Sequence, residues 1–144
     1  MNKNRKQKIN EHIQGDPFAQ FLGATVEIIK PGHSRVTLSI TDDMLNFHGT
    51  THGGVIFAIG DMAFAAACNS HGQTAVALNV GINFLKATNS GDRLIAEAEE
   101  QISSGPIALY DITIRDDRTG ELVAKSQDLA YRKKEWFVPH DNDS

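Results

Sequence analysis

The chain has a single cysteine, Cys68, so no disulfide can form within it, and a reducing cytoplasmic setting is expected. It lacks a strong positive charge. A formal net charge of -4 and a pI near 5.8 argue against a duplex nucleic-acid binder, which needs a basic face. No secretory leader is expected, because Lys3, Arg5, Lys6 and Lys8 are followed by no apolar run. It lacks a membrane span as well. The longest apolar stretch, Val55 to Cys68, is interrupted by Asp61 and falls short of the ~20 residues that a span needs. There is no Gly-x-Ser-x-Gly elbow, which removes the main argument for a serine hydrolase. No second acid stands near Asp61 in sequence, so a paired-carboxylate glycosidase has no support. With 144 residues, 40% of them apolar and 22% charged, the chain suits one soluble, well-packed domain.

Turn residues and alternation divide what is present. Residues 1–15 are polar and read as a frayed or partly helical lead-in. Asp16-Pro17 then opens a short helix. Strands are expected at Ala24–Ile29, Arg35–Ile40, Thr74–Phe84, Arg93–Ser103, Ile107–Arg115 and Leu122–Arg132. A long helix spans about Gly54 to His71, with Gly72 as its stop. The domain proper is placed at 16–134, followed by a polar tail at 135–144. The fold class is α+β, with six antiparallel strands curled around one apolar helix. Such a sheet leaves one side of the helix open, and a second subunit is the economical cover.

Asp61 is the lone acid of that apolar helix. A helix hydrophobic on every face must be buried, and a buried carboxylate usually has a partner or a task. One reading is a satisfied core acid. The other is a general base or nucleophile. Just upstream, Asn46-Phe47-His48-Gly49-Thr50-Thr51-His52-Gly53-Gly54 opens onto the helix N-terminus, where the first N–H groups lack intrahelical partners. Backbone at Gly53 and Gly54 can therefore polarise a carbonyl. His52 fits a role in fixing this loop, and Asn46 can bind a carbonyl or water. His48 and His52 lack a third ligand at motif spacing, so no metal is expected. Cys68 reads as an inert buried thiol. Lys86, Arg132, Lys133 and Lys134 form either a phosphate-binding patch or a solvated rim. Phe47, Phe57, Phe64 and Phe84 either line an aromatic pocket or pack the core.

Helix geometry separates the two halves of this site. Gly53 and Asp61 are about 12 Å apart along the axis and roughly 80° apart around it. One chain would struggle to place both on one carbonyl, even through one water. Two helices facing each other across a two-fold axis can, which predicts a site shared between protomers.

Asn46, His52-Gly53-Gly54, the run Gly60-Asp61-Met62-Ala63-Phe64-Ala65-Ala66-Ala67-Cys68-Asn69-Ser70 and Ile82-Asn83-Phe84-Leu85 together resemble the PaaI-like branch of hotdog-fold acyl-CoA thioesterases. These are named for phenylacetate degradation, and the similarity runs from about Asp16 to Arg132. The resemblance implies a long helix wrapped by an antiparallel sheet, protomers that join their sheets, and dimers that pair into tetramers. It implies an acyl-CoA substrate, with an aromatic or medium-chain acyl group, and no cofactor. Asp61 would be the base or nucleophile, the Gly53 N–H the polariser, and Asn46 a helper. Gly60 stands where alanine is usual, which implies a looser helix and a wider site. Ala77 stands where some relatives hold the attacking water with a hydroxyl, and Thr74 and Asn79 are close by in sequence. Two alternatives remain: a non-catalytic acyl-CoA sensor, or a hotdog hydratase or dehydratase using His48 or His52.

Overall fold

The computed structural model describes residues 2–140. The end of the expected tail, residues 141–144, lies outside them. Of the two readings of the N-terminal segment, frayed or partly helical, the helical one holds, as a regular helix, α1 (Lys3–Gln14). Asn2 caps it by accepting the Arg5 N–H at 2.7 Å. Tertiary contacts then hold it. Ile9 is buried, and the Arg5 guanidinium donates to the carbonyls of Pro139 (2.9 Å) and His71 (2.7 Å), tying the two ends of the chain together. Helix α2 (Pro17–Leu22) starts at Asp16, whose carboxylate accepts the N–H groups of Phe18 and Ala19. It ends at Gly23, in the left-handed conformation that glycine adopts most readily.

The strands are β1 (Thr25–Lys30), β2 (His33–Ser39), β3 (Gln73–Phe84), β4 (Arg93–Ser104), β5 (Ile107–Asp116) and β6 (Leu122–Trp136). They form one antiparallel sheet in the order β1-β2-β4-β5-β6-β3. Helix α3 (Gly53–Asn69) lies in its concave face. Every second residue of the inner strands points at the helix. Val36, Leu38, Leu94, Ala96, Ala98, Ile112 and Ile114 are all at most 2% exposed. Alanines at several of these positions let the helix sit close. Asn69 pins the start of β3 to the end of α3, accepting from the Ala75 N–H (2.9 Å) and donating to the Ala75 carbonyl (3.1 Å).

One expectation changes and another holds. Gly60 does not widen the site. It faces the sheet, where an added Cβ would stand 3.2 Å from the Ile114 δ-methyl. As expected, α3 is not covered on all sides within a protomer. Gly54, Phe57, Asp61 and Ala65, spaced three or four residues apart, form one exposed stripe. Strand β3, at the sheet edge, also exposes Val76, Leu78 and Phe84. The open side foreseen from strand count is therefore real, and it carries Asp61.

Candidate active site

The loop before α3 is fixed by its own polar groups. Leu45 and Thr51 form an isolated antiparallel bridge. The Asn46 N–H donates to the Thr50 carbonyl, and Asn46 Oδ1 accepts the N–H groups of His48 (2.9 Å) and Thr50 (3.2 Å). Its amide also donates to Thr50 Oγ1 at 3.0 Å. Asn46 thus spends most of its hydrogen-bonding capacity on shaping the loop, with one amide hydrogen left over. Gly49, at φ 82°, takes the positive-φ position at the tip. Thr88 donates to Thr51, both hydroxyls being buried, and anchors the loop to the segment after β3.

His52 caps α3. Its Nδ1 accepts the Gly54 N–H at 2.8 Å, which puts the ring proton of the neutral form on Nε2. The Gly54 N–H is consequently occupied. The Gly53 N–H has no acceptor among the described residues, so it is the free donor at this helix end. The Phe84 ring lies over Gly53, 3.7 Å from where a Cβ would stand. The free N–H therefore opens beside an aromatic wall.

Asp61 lies two turns further along the regular helix. Partial burial holds its carboxyl above the ordinary carboxylate range, and the negative charge of Asp16 adds to that. A cleft of ≈ 200 Å³ flanks the stripe on the α1–α2 side, lined by Asp16, Val26, Met62, Ala65 and Asn69 among others. Cys68 is buried away from solvent, which pushes its thiol up to about 12.

The other expected residues are scattered. Phe47 is 93% exposed beside His48, whereas Phe64 is in the core, stacked on Tyr110. Thr74 and Ala77 lie on β3, half-buried and exposed respectively. Lys86 is paired with Glu121, and Arg132 donates to Ser103 and to the Gly105 carbonyl. These two cations do not share one patch on the protomer. Lys86 follows the end of β3, which pairs with Ala124, while Arg132 pairs with Ala75 at the other end. That is about 26 Å along β6. His33, Glu97 and Glu99 bring three metal-type ligand atoms within 4.8 Å of one another. They occupy outward positions of β2 and β4, are ion-paired among themselves and with Arg35, and lie on the side of the sheet away from α3.

Ser126 and Asp128, both buried on the inner face of β6, were missed in the sequence. The signal was present: they alternate with outward Lys125 and Gln127, and so stand where the flanking Ala124 and Ala130 are apolar.

A single helix in the curl of a six-stranded antiparallel sheet, with a free N–H at its start and an acid on its open face, is the arrangement of the hotdog fold. The chain belongs to the thioesterase superfamily, whose family model matches residues 48–123. The reaction class is thioester hydrolysis. Acyl-coenzyme A thioesterase PaaI of Escherichia coli is 38% identical over 108 residues, 75% of this chain and 77% of that one. The solved structure of the E. coli PaaI protein from the phenylacetic acid degradation operon superposes with a TM-score of 0.86 at 33% identity. It covers 92% of this chain and 95% of that one. A Streptococcus mutans protein bound to acetyl-CoA matches with a TM-score of 0.72 at 28% identity, over 76% and 88% of the two chains.

Proposed function

We propose that this protein hydrolyses an acyl-CoA thioester to the free acid and CoA, at a site built by two copies of the chain. The observation that carries this reading is the unmatched pair on α3: an empty Gly53 N–H at its N-terminus and an Asp61 carboxyl on its uncovered stripe. A thiolate leaves readily, so the protein has to polarise one carbonyl and supply one nucleophile. The Gly53 N–H, at the positive end of the helix dipole, stabilises the developing oxyanion. The Asp61 carboxylate attacks the carbonyl carbon or takes a proton from the attacking water, and its raised pKa makes it a stronger base than a solvated aspartate.

The ~12 Å of helix between the two groups supports pairing Asn46 and Gly53 of one copy with Asp61 of the other. Edge strand β3, with its unpaired backbone and exposed Val76 and Leu78, is a natural seam for joining two sheets. Pairing of dimers into tetramers follows from the family resemblance. The acyl group is accommodated beside Phe57 and Phe84, with the cleft lined by Val26, Met62 and Ala65 next to it. That suits a phenylacetyl-type or medium-chain group. Lys86 and Arg132, from different ends of the sheet, are offered as separate contacts to CoA phosphates. A cytoplasmic location agrees with the one buried thiol.

Asp61→Asn keeps the side chain's shape and removes its charge. Thiol release from a panel of acyl-CoAs should fall roughly 10²–10⁴-fold, with KM little changed. Turnover at the wild-type rate would make Asp61 structural and end this reading.

A further inference from the structure

The cleft beside the open stripe of α3 has a far wall, and it is built by the two ends of the chain. Met62, Ala65 and Ala66 of α3 and Val26 of β1 form its sides, and His12 and Ile13 of α1 close it. Ala65 follows Asp61 by four residues, so the two side chains lie one turn, about 6 Å, apart on one face of the helix. The cleft thus begins one turn beyond the acid, on the side away from Gly53.

The wall is braced from behind. The Gln14 amide donates to the Val26 carbonyl at 2.7 Å, which seats the end of α1 on β1. Ile13 packs half-buried against the core. The His12 ring stacks on Phe137, with centres 4.4 Å apart and planes 21° apart. Phe137 is itself fixed, because its N–H and that of Val138 donate to the Gly72 carbonyl (3.0 and 3.3 Å), and Val138 is buried. With the Arg5 bonds to Pro139 and His71, residues 137–139 strap α1 against the end of α3. Such a wall cannot retreat without breaking contacts between both chain ends.

We propose that Ile13, with His12 at its rim and the C-terminal strap behind it, sets the longest acyl group that this site takes. The inference rests on the acyl-CoA reading above and deepens it. The cleft encloses ≈ 200 Å³. An apolar cavity of about 150 Å³ takes one benzene, so there is room for one aromatic ring or a chain of about six carbons. Each methylene that reaches an apolar wall strengthens binding. The first that does not fit has to stay in water or push α1 aside, and overpacking is unfavourable.

S-alkyl-CoA thioethers, from S-butyl to S-dodecyl, have no thioester to cleave and read the cleft by binding alone. In calorimetric titrations of the wild type, affinity should rise with chain length to about six carbons and then stop rising. Ile13→Ala moves the wall back, so the affinity for S-decyl-CoA relative to S-hexyl-CoA should rise at least about tenfold. Phe137→Ala removes the brace without touching the cleft, and should shift that ratio the same way by less. Ala65→Leu fills the cleft from an exposed helix position and stands in if Ile13→Ala does not fold. It should weaken S-hexyl-CoA relative to S-butyl-CoA about tenfold. Thiol release from the matching acyl-CoAs should break at the same lengths in kcat/KM. A wild-type decyl-to-hexyl ratio in folded Ile13→Ala, or a wild-type hexyl-to-butyl ratio in Ala65→Leu, overturns the proposal. Length breaks in binding without any thiol release would defeat the hydrolase reading alone and leave the wall in place.

Discussion

At the scale of single residues, environment decides what each titratable group does. Asp16 caps α2 through two N–H groups, and its charge also raises Asp61. Asp16→Asn keeps an acceptor for the cap and removes the charge. It should therefore move the acid limb of the kcat–pH profile to lower pH, with a Tm change of only a few degrees. Asp128 gives a stability prediction with a definite sign. Its carboxyl sits at about 6 in the folded protein against 3.8 as the ordinary value, so the folded state holds the proton more tightly. Between those values stability falls as pH rises, and above about 6 the charged form is a standing cost. Asp128→Asn should accordingly gain on the order of 1–3 kcal/mol at pH 8 and lose that gain below about pH 4, as read by chemical denaturation. Cys68, with its thiol raised to about 12, should react with a thiol reagent only after unfolding.

At the scale of elements, the N-terminus of α3 separates two adjacent glycines. A Cβ on Gly53 would meet only the Phe84 ring, at 3.7 Å, whereas one on Gly54 would come within 3.0 Å of His52 Nδ1. Gly53→Ala should therefore fold with an unchanged Tm. Gly54→Ala should displace the capping ring and cost roughly 1 kcal/mol, seen as a lower denaturation midpoint. Both glycines were legible in the sequence as a helix opening, but their division of labour was not. It depends on where the His52 ring swings, and a side-chain rotamer is not written in spacing. The strands were legible to within a few residues because alternation marks an inner and an outer face. The last strand was the exception. β6 runs on to Trp136 because Gln73 pairs with Trp136 across the edge and Gly72 accepts from the N–H of Phe137, contacts between residues far apart in sequence. The same holds for α1, whose polar composition hides a helix held by Ile9 and by the Arg5 bonds to His71 and Pro139.

At the scale of the whole molecule, the open stripe of α3 and edge strand β3 are what support the proposal that a second copy completes the site. The shared-site arrangement has a direct test. Asn46→Ala and Asp61→Asn, each inactive alone, are mixed under conditions that let subunits exchange. Random pairing makes about half the dimers hybrid, and each hybrid has one site free of both changes, so about a quarter of wild-type activity should return. If nothing returns, each site belongs to one chain.

Local chemistry determined a good deal here. The turn residues, the two-residue period of the strands, the apolar run of α3 and the lone acid within it follow from backbone and side-chain preferences that act over a few positions. They sufficed to place a curled antiparallel sheet around one helix and to single out Gly53 and Asp61. Tertiary structure decided what needs distance information. It put Gly60 against Ile114 instead of the site, sent Lys86 and Arg132 to opposite ends of the sheet, and left Asp61 on an uncovered stripe. It also brought Asp128, sixty-seven positions on in the chain, within electrostatic reach of Asp61. Such proximity arises from strand order and register, which depend on pairings between segments that no local pattern encodes.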